Sequence, residues 1–179
     1  MDFKPEYRKL NQDEINIKLF SQFCRRQVVT DCWRREGDAW VIKADPFTDD
    51  WSGDDYAFLV KCLRNTVLTG GAVFGAFQGG ALKGFASVEA ECFGSRGQYA
   101  DLTALHVSLE LRGRGVGRKL FLLAADCVRE RGGEKLYISA HSAVETQAFY
   151  RSLGCVEAEE YSAAHVAQEP YDCQLEYRL

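Results

Sequence analysis

The stretch LRGRGVGRKLF, residues 111–121, has three glycines at alternate positions with basic residues around them. A β-rich run precedes it, and the apolar residues that follow, to about Arg131, have the spacing of a helix. The first N–H groups of a helix have no internal acceptor and lie at the positive end of the helix dipole. Because glycine lets a ligand approach the backbone, this turn is suited to a phosphate or pyrophosphate group.

Spacing excludes two familiar phosphate-binding loops. The P-loop pattern GxxxxGK[ST] does not occur, and Gly113, Gly115 and Gly117 are spaced GxGxG rather than the GxGxxG of dinucleotide-binding turns. Two other interpretations remain at this point. The glycines could form a turn with solvated arginines and no ligand, or the RGRG text could bind RNA, although that mode is typical of disordered tails.

Size and charge predict one domain over residues 1–179 and narrow the range of partners. The net charge of −4 gives the surface no general attraction for nucleic acid or for anionic membranes, although residues 112–119 form a local basic patch. No apolar run is long enough to span a membrane, and the first ten residues lack a signal-peptide core. We therefore expect a cytoplasmic protein with no membrane or nucleic-acid partner.

The cysteines and histidines indicate neither disulfides nor a metal site. Seven cysteines are scattered without a CxxC pair, which is typical of free, mostly buried thiols in a reducing compartment. The three histidines show no zinc-ligand spacing. We expect no bound metal.

The order of periodic segments predicts an α/β (α+β) fold with one mixed, mostly antiparallel sheet and helices on both faces. The predicted strands are 6–10, 72–77, 82–93, 98–109, 135–140, 155–161 and 173–179, and the predicted helices lie in 11–26, from Ser52 to Gly70, from the glycine turn to Arg131 and from Ser142 to Gly154. Ser52 with Asp55 and Ser142 with Glu145 have the spacing of capping boxes. The segment between the last two strands is predicted to be a polar loop containing Pro170.

An additional β-hairpin is predicted near residues 28–44, with its turn centred on Glu36-Gly37. This register places Arg35 opposite Asp38 and Trp33 opposite Trp40. An acidic, turn-rich segment, residues 44–55, follows the hairpin.

Two motifs resemble those of the GNAT superfamily of N-acetyltransferases. VSLELRGRGVGRKLF is similar to its acyl-CoA signature, [RQ]xxGx[GA], with Arg112, Gly115 and Gly117 at the defining positions. AVETQAFYRSLGC, residues 143–155, looks like the second hallmark of the superfamily, and the element order also matches from about residue 54. The resemblance implies the GNAT fold, in which the sheet splays at the acyl-CoA site.

The resemblance also implies a coenzyme site. The backbone of the turn would bind the pyrophosphate of acetyl-CoA, through Gly113, Arg114, Gly115, Val116, Gly117 and Arg118. Arg112 would brace the turn, and the strand at Leu105, His106 and Val107 would hold the pantetheine arm. Packing in the core is the alternative role for Leu105 and Val107. Ser142 stands where many relatives have an asparagine that holds the pantetheine, and it could instead only cap the helix.

The implied catalytic residues are an acid and a base. Tyr150 aligns with the usual general acid, which protonates the departing thiolate. Asp101 matches the base position of the histone acetyltransferase branch, and strand alternation places it on the same face as Val107 and opposite His106. Glu89 on the neighbouring strand, acting through water, and His106 are the other candidate bases. A solvated or packed role is the alternative for each.

We therefore expect an acetyl-CoA-dependent N-acetyltransferase in which an amine attacks the thioester directly, within a ternary complex. The acidic segment 44–55, with Trp51, favours a small cationic amine as acceptor. A protein N-acetyltransferase and a non-catalytic acyl-CoA-binding sensor are alternatives, with RNA binding as a third. The expected state is a monomer or homodimer.

Overall fold

A seven-stranded sheet and a separate two-stranded hairpin organise residues 4–179, the part of the chain that the structure, a computed structural model, describes. The strands are β1 (Glu6–Lys9), β2 (Gln27–Glu36), β3 (Ala39–Asp49), β4 (Ala72–Gln78), β5 (Ala81–Phe93), β6 (Tyr99–Val107), β7 (Lys135–Ala140), β8 (Val156–Glu157) and β9 (Cys173–Arg178). The helices are α1 (Gly53–Leu68), α2 (Val116–Glu130), α3 (Val144–Leu153) and α4 (Ala163–Gln168). None of them combines the length and the apolarity that crossing a bilayer requires.

The large sheet opens between two of its central strands. Its order is β1-β4-β5-β6-β7-β9-β8, and every neighbouring pair is antiparallel except β6 and β7. These two parallel strands pair only from Tyr99 and Lys135 to Asp101 and Tyr137, and then diverge. The predicted mixed, mostly antiparallel sheet with a splay is confirmed.

Helices cover both faces of the sheet, as predicted. The amphipathic α2 buries Leu120, Phe121 and Ala124 in the larger core, to which α3 contributes Tyr150. On the other face, α1 and the segment before β2 enclose a second core that includes Leu63 and Phe85. The sheet therefore presents separate surfaces to α2 and to α1.

Close packing of α2 on β5 depends on Gly84. A Cβ added to Gly84 would lie 2.9 Å from Leu120 Cδ1 and 3.1 Å from Val116 Cγ1. Because overpacking displaces neighbours, we expect Gly84→Val to lower the free energy of unfolding by about 1–3 kcal/mol, measured by urea denaturation. At Gly53 an added Cβ meets nothing within 4 Å, so Gly53→Val is the matched control. An equal loss of stability in both variants would contradict this prediction.

The predicted hairpin forms, but its strand register differs from the prediction by two positions. Glu36 pairs with Ala39 and Arg35 with Trp40, so the two-residue turn is Gly37-Asp38. Gly37 has a φ of +59°, the conformation that short hairpin turns require and glycine supplies most easily. The Arg35 guanidinium lies over the Trp40 ring. The hairpin is also longer than predicted, since β3 extends to Asp49 into the acidic segment.

The predicted helix in residues 11–26 does not form. Two short 3₁₀ turns, Gln12–Glu14 and Ile17–Phe20, replace it. Asn11 and Asn16 each accept hydrogen bonds from backbone N–H groups two and three residues ahead, and Asn16 itself is extended, with φ −148°. Asparagine competes with helical hydrogen bonding in this way, so each turn ends before a helix can propagate.

The C-terminal region also departs from the prediction. The strand expected at 155–161 is reduced to the two residues of β8, while β9 forms as expected. The polar loop contains α4, which begins at the N-cap Ser162. All seven cysteines are free, but only Cys32, Cys155 and Cys173 are buried, so the prediction of mostly buried thiols is wrong.

Candidate active site

Two clefts flank the region where β6 leaves β7. The first, called here the glycine-turn cleft, has a volume of about 480 Å³ and is lined by the end of β6, the glycine turn and α3. The second, called the acidic cleft, has a volume of about 1140 Å³ and lies between α1 and α4 over β5 and β6. His106 lines both clefts, so they meet at this residue.

The glycine turn leaves the N-terminus of α2 without a capping side chain. Gly113 and Gly115 have φ values of +73° and +80°, and a Cβ at either position would meet nothing within 4 Å. Their requirement for glycine is therefore conformational. Gly115 is the N-cap of α2, and its lack of a side chain leaves the first N–H groups of the helix without a side-chain acceptor. This arrangement suits an anionic ligand.

The remaining residues of the turn have distinct positions. A Cβ on Gly117 would lie 3.2 Å from the Phe149 ring, so this glycine lets α2 approach α3. Val116 is buried in the α2 core, and its side chain does not line the cleft. Arg114 is exposed and lies outside the cleft lining, whereas Arg118 lines the cleft and donates to the Ser152 carbonyl at 3.0 Å.

Arg112 ties the turn to the preceding strand. Its Nε donates to the carbonyl oxygen of Val107 at 3.0 Å. Leu105, His106 and Val107 line the glycine-turn cleft, and β6 has no ladder partner on its β7 side after Asp101. The cleft therefore combines an open strand edge with the N-terminus of a helix.

Tyr150 lies in the same cleft, on α3. It is 7% exposed, and its ring packs against Phe121 and Phe149. Within residues 4–179 its hydroxyl has no hydrogen-bond partner, so the group is available to a ligand. Burial raises the pKa of the Tyr150 phenol well above its ordinary range, which keeps it protonated near neutral pH.

A bulge in β6 reverses the side-chain alternation on which the Asp101 prediction rested. Consecutive residues of β5 pair with Ala104 and Leu102, so Thr103 is an extra residue in β6. As a result, Leu102 and Leu105 both pack in the α2 core although they are three positions apart.

The predicted facing of Asp101 is therefore wrong. Asp101 lines the acidic cleft together with His106, and Val107 lines the glycine-turn cleft on the other side. The Asp101 Oδ2 lies 2.7 Å from Nε2 of His165, and Asp101 Oδ1 is buried without a hydrogen-bond partner among the described residues.

Glu89 also lines the acidic cleft. Its Oε1 accepts hydrogen bonds from the Thr66 hydroxyl at 2.6 Å and the Thr103 hydroxyl at 3.2 Å. Within the described residues its Oε2 has no hydrogen-bond partner. Glu89 therefore presents a fixed carboxylate with one oxygen available.

His106 has a different environment from the two carboxylates. Its ring lies 4.8 Å from the Trp51 ring and 5.3 Å from the Phe85 ring. Burial, and then the guanidinium groups of Arg25 and Arg112, lower the pKa of His106 to about 3. It is therefore neutral at physiological pH and a weak proton acceptor.

Comparison with known proteins assigns this chain to a family. The model of the Acetyltransferase (GNAT) family matches residues 25–155, more than half of the chain. The chain belongs to the GNAT acetyltransferase family. No curated protein matches it by sequence.

Solved structures similar to this GNAT acetyltransferase agree on the fold. A nourseothricin acetyltransferase has 19% identity and a TM-score of 0.70 over 97% of this chain and 98% of its own. The PaiA N-acetyltransferase of Thermoplasma acidophilum, solved with coenzyme A, has 14% identity and a TM-score of 0.59 over 99% and 100% of the two chains. The ribosomal-protein-S18-alanine N-acetyltransferase of Escherichia coli has 16% identity and a TM-score of 0.59 over 98% and 94%.

In this GNAT acetyltransferase Ser142 does not cap α3, contrary to one of its two predicted roles. The N-cap is Ala143, with no side-chain hydrogen bond. Ser142 is 1% exposed, and its Oγ accepts from the Arg34 guanidinium at 2.6 Å while its carbonyl accepts from Trp33 N–H. Ser142 thus anchors the hairpin to the end of β7, and it does not line the glycine-turn cleft.

The acidic segment 44–55 contributes less to the clefts than its composition predicts. Asp45 pairs with Arg34, Asp49 pairs with Arg25, and the Asp55 carboxylate accepts the N–H of the N-cap Ser52 in the capping box of α1. Of this segment only Trp51 and Asp55 line the acidic cleft. The negative charge of the acidic cleft comes mainly from carboxylates outside this segment, such as Glu89 and Asp101.

His165 and Asp172 line the acidic cleft and are candidate functional residues that the sequence prediction missed. His165 lies on α4, in the segment predicted to be a loop. Ser162 three residues before it and Pro170 after it are weak helix-boundary signals that could have located α4. The spacing of His165 and Asp101 in the sequence does not predict their contact, because the two residues are 64 positions apart and meet only when α4 packs against the sheet.

Proposed function

We propose that this GNAT protein, with residues 1–179 acting as one domain, transfers the acetyl group of acetyl-CoA to a primary amine of a small cationic molecule. The observation that carries the proposal is the meeting of the two clefts at His106, beside the opening between β6 and β7. The glycine-turn cleft contains backbone N–H groups suited to an anion and the buried phenol of Tyr150, and the acidic cleft contains carboxylates.

Acetyl-CoA is assigned to the glycine-turn cleft. The N–H groups from Gly113 to Arg118 would bind its pyrophosphate, where no Cβ of Gly113 or Gly115 obstructs the approach. The open edge of β6 at Leu105–Val107 would pair with the pantetheine arm as an added strand does. We assign no pantetheine contact to Ser142, because Arg34 already occupies its hydroxyl.

Tyr150 is assigned as the general acid. The amine nitrogen attacks the thioester carbon directly, an N–C bond forms and the C–S bond breaks. The leaving thiolate takes the proton of the Tyr150 hydroxyl, which has no hydrogen-bond partner among the described residues, and the proton lost by the new amide nitrogen restores the phenol. No covalent enzyme intermediate is required.

The acceptor amine is assigned to the acidic cleft. Ammonium groups pair well with carboxylates in partly desolvated sites, and Glu89 Oε2 has no hydrogen-bond partner among the described residues. Pockets near this size usually bind small molecules. The similar structures are named for acceptors as different as nourseothricin and a ribosomal-protein alanine, so the cleft rather than the fold supports this choice.

The proposal is tested by following thiol release from acetyl-CoA with a panel of monoamines and diamines. We expect the wild type to prefer a diamine and Glu89→Gln to raise the KM for that diamine about tenfold or more, because a charge-assisted hydrogen bond is lost. Glu91→Gln is the matched control, since Glu91 is exposed on the same strand and outside the acidic cleft. Acetyl-CoA binding without turnover of any amine would contradict the proposal.

A further inference from the structure

A histidine–carboxylate pair lies in the acidic cleft beside the point where the sheet opens. Nε2 of His165 is 2.7 Å from Oδ2 of Asp101, the last residue of β6 to pair with β7. Their side chains are 26% and 15% exposed, so the pair is largely shielded but still reaches the cleft.

The sheet holds the His165 ring in place. The ring stacks on Tyr137 of β7, with a centroid distance of 5.5 Å and an interplanar angle of 23°. The Tyr137 hydroxyl accepts the N–H of Ser162 at 2.9 Å, and the Ser162 hydroxyl accepts the N–H of His165 at 3.3 Å. Tyr137 thus positions both the ring and the start of its helix.

The hydrogen-bond network determines which ring nitrogen is available. Facing a carboxylate, Nε2 carries the proton and donates it to Asp101, so the lone pair is on Nδ1 in the neutral ring. Within residues 4–179 Nδ1 has no hydrogen-bond partner. A base with one nitrogen oriented by a carboxylate and the other nitrogen available is the arrangement that proton abstraction needs.

We infer that His165, positioned by Asp101, accepts the first proton from the acceptor ammonium, an assignment that rests on the proposed function. The N–H bond of the ammonium breaks, its electrons stay on nitrogen, and the proton passes to Nδ1 of His165, directly or through one water. The neutral amine then attacks the thioester. His165 returns the proton to solvent, so each turnover releases one proton and the dyad is unchanged.

This role predicts a distinct pH dependence. The hydrogen bond to Asp101 raises the pKa of His165 above its ordinary value and outweighs burial, which lowers it. The charges of Asp101 and Asp172 raise the pKa further. Asp101 contacts the ring from β6 and Tyr137 contacts it from β7, while Asp172, in the segment before β9, acts on it through charge alone. Because only the neutral ring accepts a proton, kcat/KM should rise as the pH passes through this raised pKa.

The test is the pH profile of kcat/KM with the best amine, from about pH 5 to about pH 9, for the wild type, His165→Gln and Asp101→Asn. His165→Gln should lower kcat/KM about 10²-fold or more at high pH and remove the acid limb that belongs to the histidine. Asp101→Asn should move that limb to lower pH, because the carboxylate that raises the pKa is gone. A purely structural role would not shift the limb.

Asp126→Asn is the matched control, since Asp126 is exposed on α2 and should leave the profile unchanged. Thermal unfolding and acetyl-CoA binding of each variant show that the fold persists. If His165→Gln keeps the acid limb and activity within about threefold of wild type, the dyad's role is overturned while the transferase stands. If the wild type acetylates no amine, the proposed function and the dyad's role are both overturned.

Discussion

Tyr150→Phe is expected to lower kcat by about 10²–10⁴-fold, because it removes the only group assigned to protonate the thiolate. The phenylalanine ring can keep the packing of Tyr150 against Phe121 and Phe149, so the fold and the cleft should persist. Burial raises the pKa of the phenol, so wild-type kcat should not fall through the ordinary tyrosine pKa of about 10. Steady-state kinetics with saturating acetyl-CoA measure the effect.

The matched control for this variant is Tyr171→Phe. Tyr171 is 68% exposed and contacts the Arg34 guanidinium outside both clefts, so its hydroxyl should not influence turnover. Calorimetry should give Tyr150→Phe a Kd for acetyl-CoA within about threefold of wild type, because the coenzyme contacts are assigned to backbone. A Tyr150→Phe enzyme with wild-type kcat would refute the assignment of the general acid.

Gly115→Glu is expected to weaken acetyl-CoA binding by about 100-fold or more. The substitution places a carboxylate beside the N–H groups assigned to the pyrophosphate, and like charges at this distance repel. It also forces a residue with a Cβ to adopt φ +80°, at a cost of about 1–2 kcal/mol. Isothermal calorimetry with acetyl-CoA measures the loss.

Gly132→Glu separates backbone strain from the effect on the site. Gly132 has the same φ of +80°, an added Cβ there also meets nothing within 4 Å, and it lies beyond the other end of α2. A glutamate destabilises a helix near its C-terminus and stabilises it near its N-terminus, because of the helix dipole. Gly132→Glu should therefore have a lower free energy of unfolding than Gly115→Glu. If both variants bind acetyl-CoA equally well, the turn does not bind the pyrophosphate.

Much of the glycine-turn cleft is predictable from sequence because its signals are local. A glycine at a helix N-cap and an amphipathic helix after a β-rich run each depend on residues within a few positions of one another. The turn, α2, β7 and the Ser52 capping box accordingly form where the sequence predicts them. The helix in residues 11–26 fails for a local reason too, since the capping tendency of Asn16 outweighs the apolar spacing.

The acidic cleft is poorly predictable because its geometry depends on pairing between distant strands. Strand alternation alone predicts that Asp101 shares a face with Val107. The extra residue Thr103 appears only when β6 is aligned with β5, and it moves Asp101 to the opposite side. The error in the hairpin register is local by contrast, since the backbone conformation of Gly37 decides the turn.

By itself, the sequence determined the order of the main elements, the glycine turn at the head of α2 and the family to which the chain belongs, because each depends on residues close together along the chain. Only the tertiary structure decided that Asp101 faces the acidic cleft, that Ser142 anchors the hairpin, and that His165 meets Asp101 at 2.7 Å. These contacts join residues more than 60 positions apart, and their geometry comes from sheet register and helix docking, which no short stretch of sequence encodes.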